Sequence, residues 1–418
     1  MVWAKITSRF QAGSAARDVA TLTVGTAIAQ AITIAATPLL TRLYTPSDFG
    51  LLAVFLAVAS VGATLVTLRY ETSILVPKEN TESANLVLLS LILGSGLSVV
   101  LAVLGALLPM AMQEKVGLGA LGNWLPIAFL TAAATSALAV MQGWMNQQKK
   151  YQHMAWLRVG QSAALVGLAV FFGFFHSDNG LLIAQICASV CLCLVALWLG
   201  RSAAHLWQKQ QLQATALAHK NAPKYLLPTA LLDVITLQMP VLLIAAWFGS
   251  DEAGQFSMAW RLLMMPMALI GGAVGQVFMQ RFSKVLATPE LAKKIIKQSW
   301  IFLFLIGLLP FFLIFIGGES IFSMALGDKW LGSGAIAMML APMALAMFIS
   351  SPTSGAYVLL GLQKYSLFFG VVTFIYRPIC IFLGKYFNNL AFGLWVWVLL
   401  EVITLFIYQY LVWKKLND

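Results

Sequence analysis

Four charged residues fall deep inside long apolar runs, near the expected midplane, where charge is costly. Asp233 and Arg261 lie in the seventh and eighth runs, Arg377 and Glu401 in the eleventh and twelfth. A charged side chain at the centre of a bilayer costs about 2.5–3.5 kcal/mol on insertion scales. Asp233 and Arg261 are equidistant from position 247, and Arg377 and Glu401 from position 389. In two antiparallel hairpins each pair would therefore sit at matched depth. Two chemistries fit. Opposite charges on neighbouring helices can simply neutralise one another. Alternatively, Arg261 and Arg377 offer planar forks suited to phosphate, charged even in hydrocarbon. Asp233 and Glu401 could then exchange their arginines for a coupling proton or sodium ion. Three further arginines join the binding candidates. Arg42 and Arg69 lie near span ends and could instead snorkel to an interface. Arg158 follows Lys150–Tyr151 by about a turn and a half.

Other chemistry is not indicated. The sequence holds no GxxxxGK[ST] loop for phosphates, so ATP hydrolysis is not expected. His153, His176, His205 and His219 are scattered near loops without metal-ligand spacing. Cys187, Cys191 and Cys193 share one apolar run, ICASVCLCL, and read as small packing residues. No catalytic residue, metal or resident cofactor is expected.

The elements that carry these charges are transmembrane helices. Of 418 residues, 60% are hydrophobic and 10% charged. Soluble domains are about 25% charged. Mean hydropathy is +0.86. A span needs about 20 mostly apolar residues. Twelve such runs occur, at roughly 18–42, 49–69, 84–109, 121–146, 153–175, 180–200, 225–248, 254–280, 298–317, 335–361, 365–386 and 391–412. They are apolar all round, unlike the alternating strands of an outer-membrane barrel. Prolines within them, among them Pro240, Pro266, Pro310 and Pro378, could kink the helices. Trp124, Trp247 and Trp330 stand near span ends and read as an interface belt.

The net charge of +11 is a topology signal. With the N-terminus in the cytoplasm, 18 lysines and arginines outside the spans fall on the cytoplasmic side and 3 opposite. Both termini are therefore expected in the cytoplasm, and nucleic acid is not an expected partner. The first residues, MVWAKITSRFQAGSAARD, mix basic and apolar residues and lack a cleavage site, so they read as a basic interfacial segment.

The chain also repeats itself. PLLTRLYTPSDFGLL at 38–52 corresponds to PVLLIAAWFGSDEAGQF at 240–256, with Gly50 and Gly254 at an offset of 204. Lys150–Tyr151 corresponds to Lys364–Tyr365 at an offset of 214. The matches flank a polar stretch, RSAAHLWQKQQLQATALAHKNAPK. The expected architecture is all-α: a six-helix lobe at 1–200, a cytoplasmic linker at 201–224 and a second six-helix lobe at 225–418. The lobes would be parallel repeats about an axis along the membrane normal, with the substrate between them.

The stretch RDVATLTVGTAIAQAITIAATPLLTRLYTPSDFGLLAVFLAV, followed by RYETSILVPKENTESANLVLLS, resembles the polysaccharide biosynthesis (Wzx-type) flippases. These belong to the multidrug/oligosaccharidyl-lipid/polysaccharide exporter superfamily. LLTRLYTPSDFG and RYETSILVPK carry the resemblance. It implies alternating-access translocation of an undecaprenyl-pyrophosphate-linked oligosaccharide across the bacterial inner membrane. The glycan would be an O-antigen (lipopolysaccharide), capsule or exopolysaccharide repeat unit. The resemblance also implies a cavity that is cationic in many members. Membrane lipids are the expected surroundings, a monomer the expected working form, and a polysaccharide polymerase a candidate partner. A small-molecule or drug cation antiporter of the same superfamily shares this fold. A membrane-embedded polymerase or acyltransferase fits less well, because the outer loops are short.

Overall fold

The computed structural model describes residues 15–115, 117–177, 179–286 and 288–416. The basic segment expected at the extreme N-terminus lies largely outside them. Helices dominate, and no strand occurs among the described residues. Six spans come first: α1 (Ala15–Leu43), α2 (Pro46–Val66), α3 (Asn80–Leu107), α4 (Leu125–Gln147), α5 (Tyr151–Phe174) and α6 (Gly180–Leu199). Six follow: α7 (Leu227–Phe248), α8 (Ser250–Pro266 and Gly272–Val285), α9 (Pro289–Leu326), α10 (Leu331–Ser350), α11 (Gln363–Tyr386) and α12 (Leu390–Lys415). Among the described residues eleven helices are each long and apolar enough to cross a membrane, and α8, a pair bent by 42°, makes a twelfth when counted as one span. The chain is a multi-pass membrane protein. Its apolar residues face outward as readily as inward: Leu305, Leu309 and Ile316 on α9 are all exposed.

Local chemistry explains where helices start and break. Thr45 and Asp48 form a reciprocal cap at the head of α2. Asp48 Oδ2 accepts from the Thr45 backbone N–H at 2.8 Å, and Thr45 Oγ1 from that of Asp48 at 3.3 Å. Pro46 occupies the first helical position, where its missing N–H costs nothing. α8 runs as Ser250–Pro266 and Gly272–Val285 either side of a π turn at Met267–Gly271. Pro266 cannot donate to the helical ladder, and the wider turn follows it. α9 is longer than its apolar run. Its first turns carry Lys293, Lys294 and Lys297 on one side while Ala292 and Ile296 are buried on the other. A kink at Gly317 (φ −125°, ψ 23°) then turns it along α10. There Gly318 and Gly334 let the two backbones close, since a Cβ on Gly334 would lie 2.6 Å from the Gly318 carbonyl.

The helices fall into two compact units. Of the described residues, those up to 44 and within 55–234 form one, and those within 45–54 and from 235 on form the other. In the first, α3 packs on α4, α4 on α6 and α5 on α6. In the second, α9 packs on α10, α10 on α12 and α11 on α12. The three pairings recur with every helix shifted by six, which is the internal repeat expressed as packing. The stretch 201–224 folds onto the first unit. Trp144 Nε1 donates to Ser202 Oγ at 3.2 Å, Tyr70 to the Ala216 carbonyl at 3.2 Å, and His219 meets Glu82 at 2.9 Å.

Candidate functional site: the intramembrane charges

In the second unit Arg377 and Glu401 form a buried, two-pronged ion pair. Arg377 Nη2 donates to Glu401 Oε1 at 2.7 Å and Nε to Oε2 at 3.1 Å. Arg377 is 7% exposed and Glu401 4%. Helical spacing supplies the rest. Trp397, one turn before Glu401 on α12, donates its indole N–H to Oε2 at 2.8 Å. Tyr376, beside Arg377 on α11, donates its hydroxyl to the same oxygen at 2.8 Å. Arg377 Nη1 reaches the Thr236 carbonyl of α7 at 3.5 Å. The guanidinium also lies over the Trp397 ring at 5.6 Å. Four donors thus saturate the carboxylate, which is what a charge in a dry interior requires. The cluster ties three helices together.

Aromatic rings extend it to α8. Trp397 stacks on Trp260 at 5.7 Å and 23°, and Trp260 on Phe256 at 5.9 Å and 24°. The next residue after Trp260 is Arg261. Its side chain is exposed on an intramembrane helix and engages no described residue of its own unit. A guanidinium in this position has all its donors available to a ligand.

The remaining charges take different places. Asp233 is exposed on α7 at the end of the first unit and makes no ion pair with a described residue of that unit. Arg158 of α5 donates through Nη1 to Thr26 Oγ1 of α1. Arg42 is exposed in the last turn of α1. Arg69 sits in a left-handed turn (φ 64°) after α2 and pairs with Glu71 at 3.0 Å. Arg69 Nε and Glu71 Oε2 are buried without partners. Tyr376, Trp397, Trp260 and Glu71 are not among the site residues expected from the sequence. Two signals were present: Trp397 stands four residues before Glu401, and Tyr376 adjoins Arg377.

Residues 39–335 match the family model described as polysaccharide biosynthesis protein. The chain belongs to this polysaccharide biosynthesis family. No curated protein matches it. Among solved structures it is similar to the lipid II flippase MurJ in an inward closed conformation. That match has a TM-score of 0.73 at 12% identity and covers 94% of this chain and 89% of the other. An outward-facing MATE multidrug resistance transporter of the MOP superfamily is similar at a TM-score of 0.52 and 12% identity, over 96% of each chain. A MOP superfamily transporter from Pyrococcus furiosus is similar at 0.54 and 13%, again over 96% of each. At 12–13% identity these likenesses show the fold alone: the chain has a MurJ- and MATE-like fold. The family match includes Arg42, Arg69, Arg158, Asp233 and Arg261, while Arg377 and Glu401 lie beyond it.

Proposed function

We propose that this polysaccharide biosynthesis protein is a flippase, not an enzyme. Its cargo is an undecaprenyl-pyrophosphate-linked oligosaccharide, moved across the bacterial inner membrane by alternating access. The reading places both termini in the cytoplasm and has the chain act as a monomer, feeding a polysaccharide polymerase. Arg261 attracts the pyrophosphate, the polyprenyl tail stays in lipid, and the glycan crosses through a hydrated path. The observation that carries this is the exposed Arg261, whose guanidinium engages no described residue of its own unit, on a membrane-spanning helix of a polysaccharide biosynthesis protein. A bare cation there suits a doubly anionic carrier lipid.

The rival reading, an antiporter of drug cations, needs an accessible acid. Glu401 is held by four donors, so it can take a cation only if Arg377 leaves. That arrangement suits a latch better than a first docking point. Asp233, exposed on α7, is the acid open to a coupling proton or sodium ion. The experiment replaces Arg261→Met with Asp233→Leu, and separately Arg377→Met with Glu401→Leu. Protein level and surface polysaccharide are measured together. The flippase reading expects the Arg261 variant to be abundant and inactive in export. Normal export by both double variants would overturn it.

A further inference from the structure

We infer that the second unit carries a dedicated site for an anionic glycerophospholipid, in a groove between α9, α10 and α12. The groove has a volume of about 760 Å³ and is lined almost wholly by apolar side chains. Clefts of about 300–1,000 Å³ are the usual size for ligand sites. On α12 its lining runs from Val402 to Trp413, and on α10 from Pro342 to Ser350. The eleven residue steps from Val402 to Trp413 rise about 16 Å, a length suited to an extended alkyl chain. Phe406 and Tyr410 are exposed along its edge, so a chain can enter sideways from the bilayer. The few polar groups in the floor are already satisfied. Thr353 donates to Gln409 Oε1 at 2.7 Å, and Gln409 Nε2 to the Ser350 carbonyl at 3.5 Å. The interior therefore asks for hydrocarbon.

The mouth asks for an anion. Trp300 and Trp413 face each other there, their rings 6.0 Å apart. Lys297 precedes Trp300, Ile301 and Phe304 at spacings of three, four and seven, which puts its exposed side chain on the groove face of α9. Lys414 follows Tyr410 by four and stands exposed on the same side of α12. One end of the groove thus offers two cations, and the other offers only hydrocarbon. That polarity matches a phospholipid standing in its own leaflet, with chain in the groove and phosphate at the lysines.

The test is native mass spectrometry of the purified full chain with phosphatidylglycerol or phosphatidylcholine titrated into the detergent. The wild type should retain phosphatidylglycerol in preference to phosphatidylcholine. Lys297→Gln with Lys414→Gln, both at exposed positions, should reduce that preference by about tenfold or more. Ala346→Phe, which fills the groove, should abolish retention of either lipid. Equal retention of both lipids by the wild type, or a preference unchanged in the lysine variant, would overturn the proposal. So would displacement of phosphatidylglycerol by equimolar undecaprenyl phosphate, which would assign the groove to a carrier lipid instead. The lysine variant keeps the test decisive even if Ala346→Phe fails to fold.

Discussion

Gly50 and Gly254 meet backbone to backbone, and each is the other's counterpart in the repeat. A Cβ on Gly50 would lie 1.8 Å from the Ser250 carbonyl oxygen, and one on Gly254 would lie 1.8 Å from that of Pro46. Each would also stand 3.0 Å from the other glycine's nitrogen. Pro46 is four residues before Gly50, as Ser250 is before Gly254, so the contact is reciprocal. Reciprocity of this kind is what a two-fold relation between like segments produces. The hydroxyls of Ser47 and Ser250 close the same crossing at 2.7 Å. The opening turns of α2 accordingly group with the second unit.

Gly50→Ala and Gly254→Ala should each destabilise the protein, because the new methyl meets backbone rather than a yielding side chain. Overpacking of this sort costs about 1–3 kcal/mol or more. Gly96 on α3 has open space around it, and Gly96→Ala should be neutral or stabilising. Thermal melts of the three purified variants separate steric crowding from a general intolerance of substitution.

Glu401→Gln leaves Arg377 buried beside a neutral partner. Loss of one member of a buried pair costs about 3–5 kcal/mol. The expected result is low abundance and a lowered Tm. Arg377→Met with Glu401→Leu should recover most of that stability, and Trp397→Phe should cost about 1.5–3 kcal/mol for one charge-assisted hydrogen bond. A double variant less stable than either single one would contradict the pairing account.

Arg261→Met should leave stability unchanged, since the side chain holds nothing in its own unit. Export should fall steeply at equal protein level. Arg261→Lys keeps the charge but loses the planar fork, and partial export is expected if two-pronged phosphate recognition matters.

Topology is open to cysteine labelling in a background free of the four native cysteines. Asn388 and Lys209 are both exposed. A cysteine at 388 should react with an impermeant thiol reagent from the periplasm, and one at 209 only after permeabilisation. The opposite pattern would invert the orientation drawn from the lysines.

Much of this architecture is legible in the residues. Run lengths locate the spans because a bilayer demands about 20 apolar residues whatever the packing. α9 exceeds its run because helicity continues where only one face is buried, as at Ala292 and Ile296. The break in α8 is less legible. Pro266 marks it, but proline inside a span bends or merely tolerates, and neighbours decide which. The site is half legible. Equal spacing about 389 brings Arg377 and Glu401 together, yet Trp397 reads as one more membrane tryptophan until its indole is seen on the carboxylate. Arg69 and Glu71 pair across a left-handed turn that no periodic pattern encodes.

The most direct test of the flippase reading is made in the native host. Deletion of the chain should stop surface polysaccharide while undecaprenyl-pyrophosphate-linked oligosaccharide accumulates inside the cell. Wild-type chain should restore export and clear the accumulated lipid, and Arg261→Met at equal protein level should do neither. Normal surface polysaccharide and no accumulated lipid-linked oligosaccharide after deletion, with altered susceptibility to cationic drugs, would contradict the account and favour an antiporter.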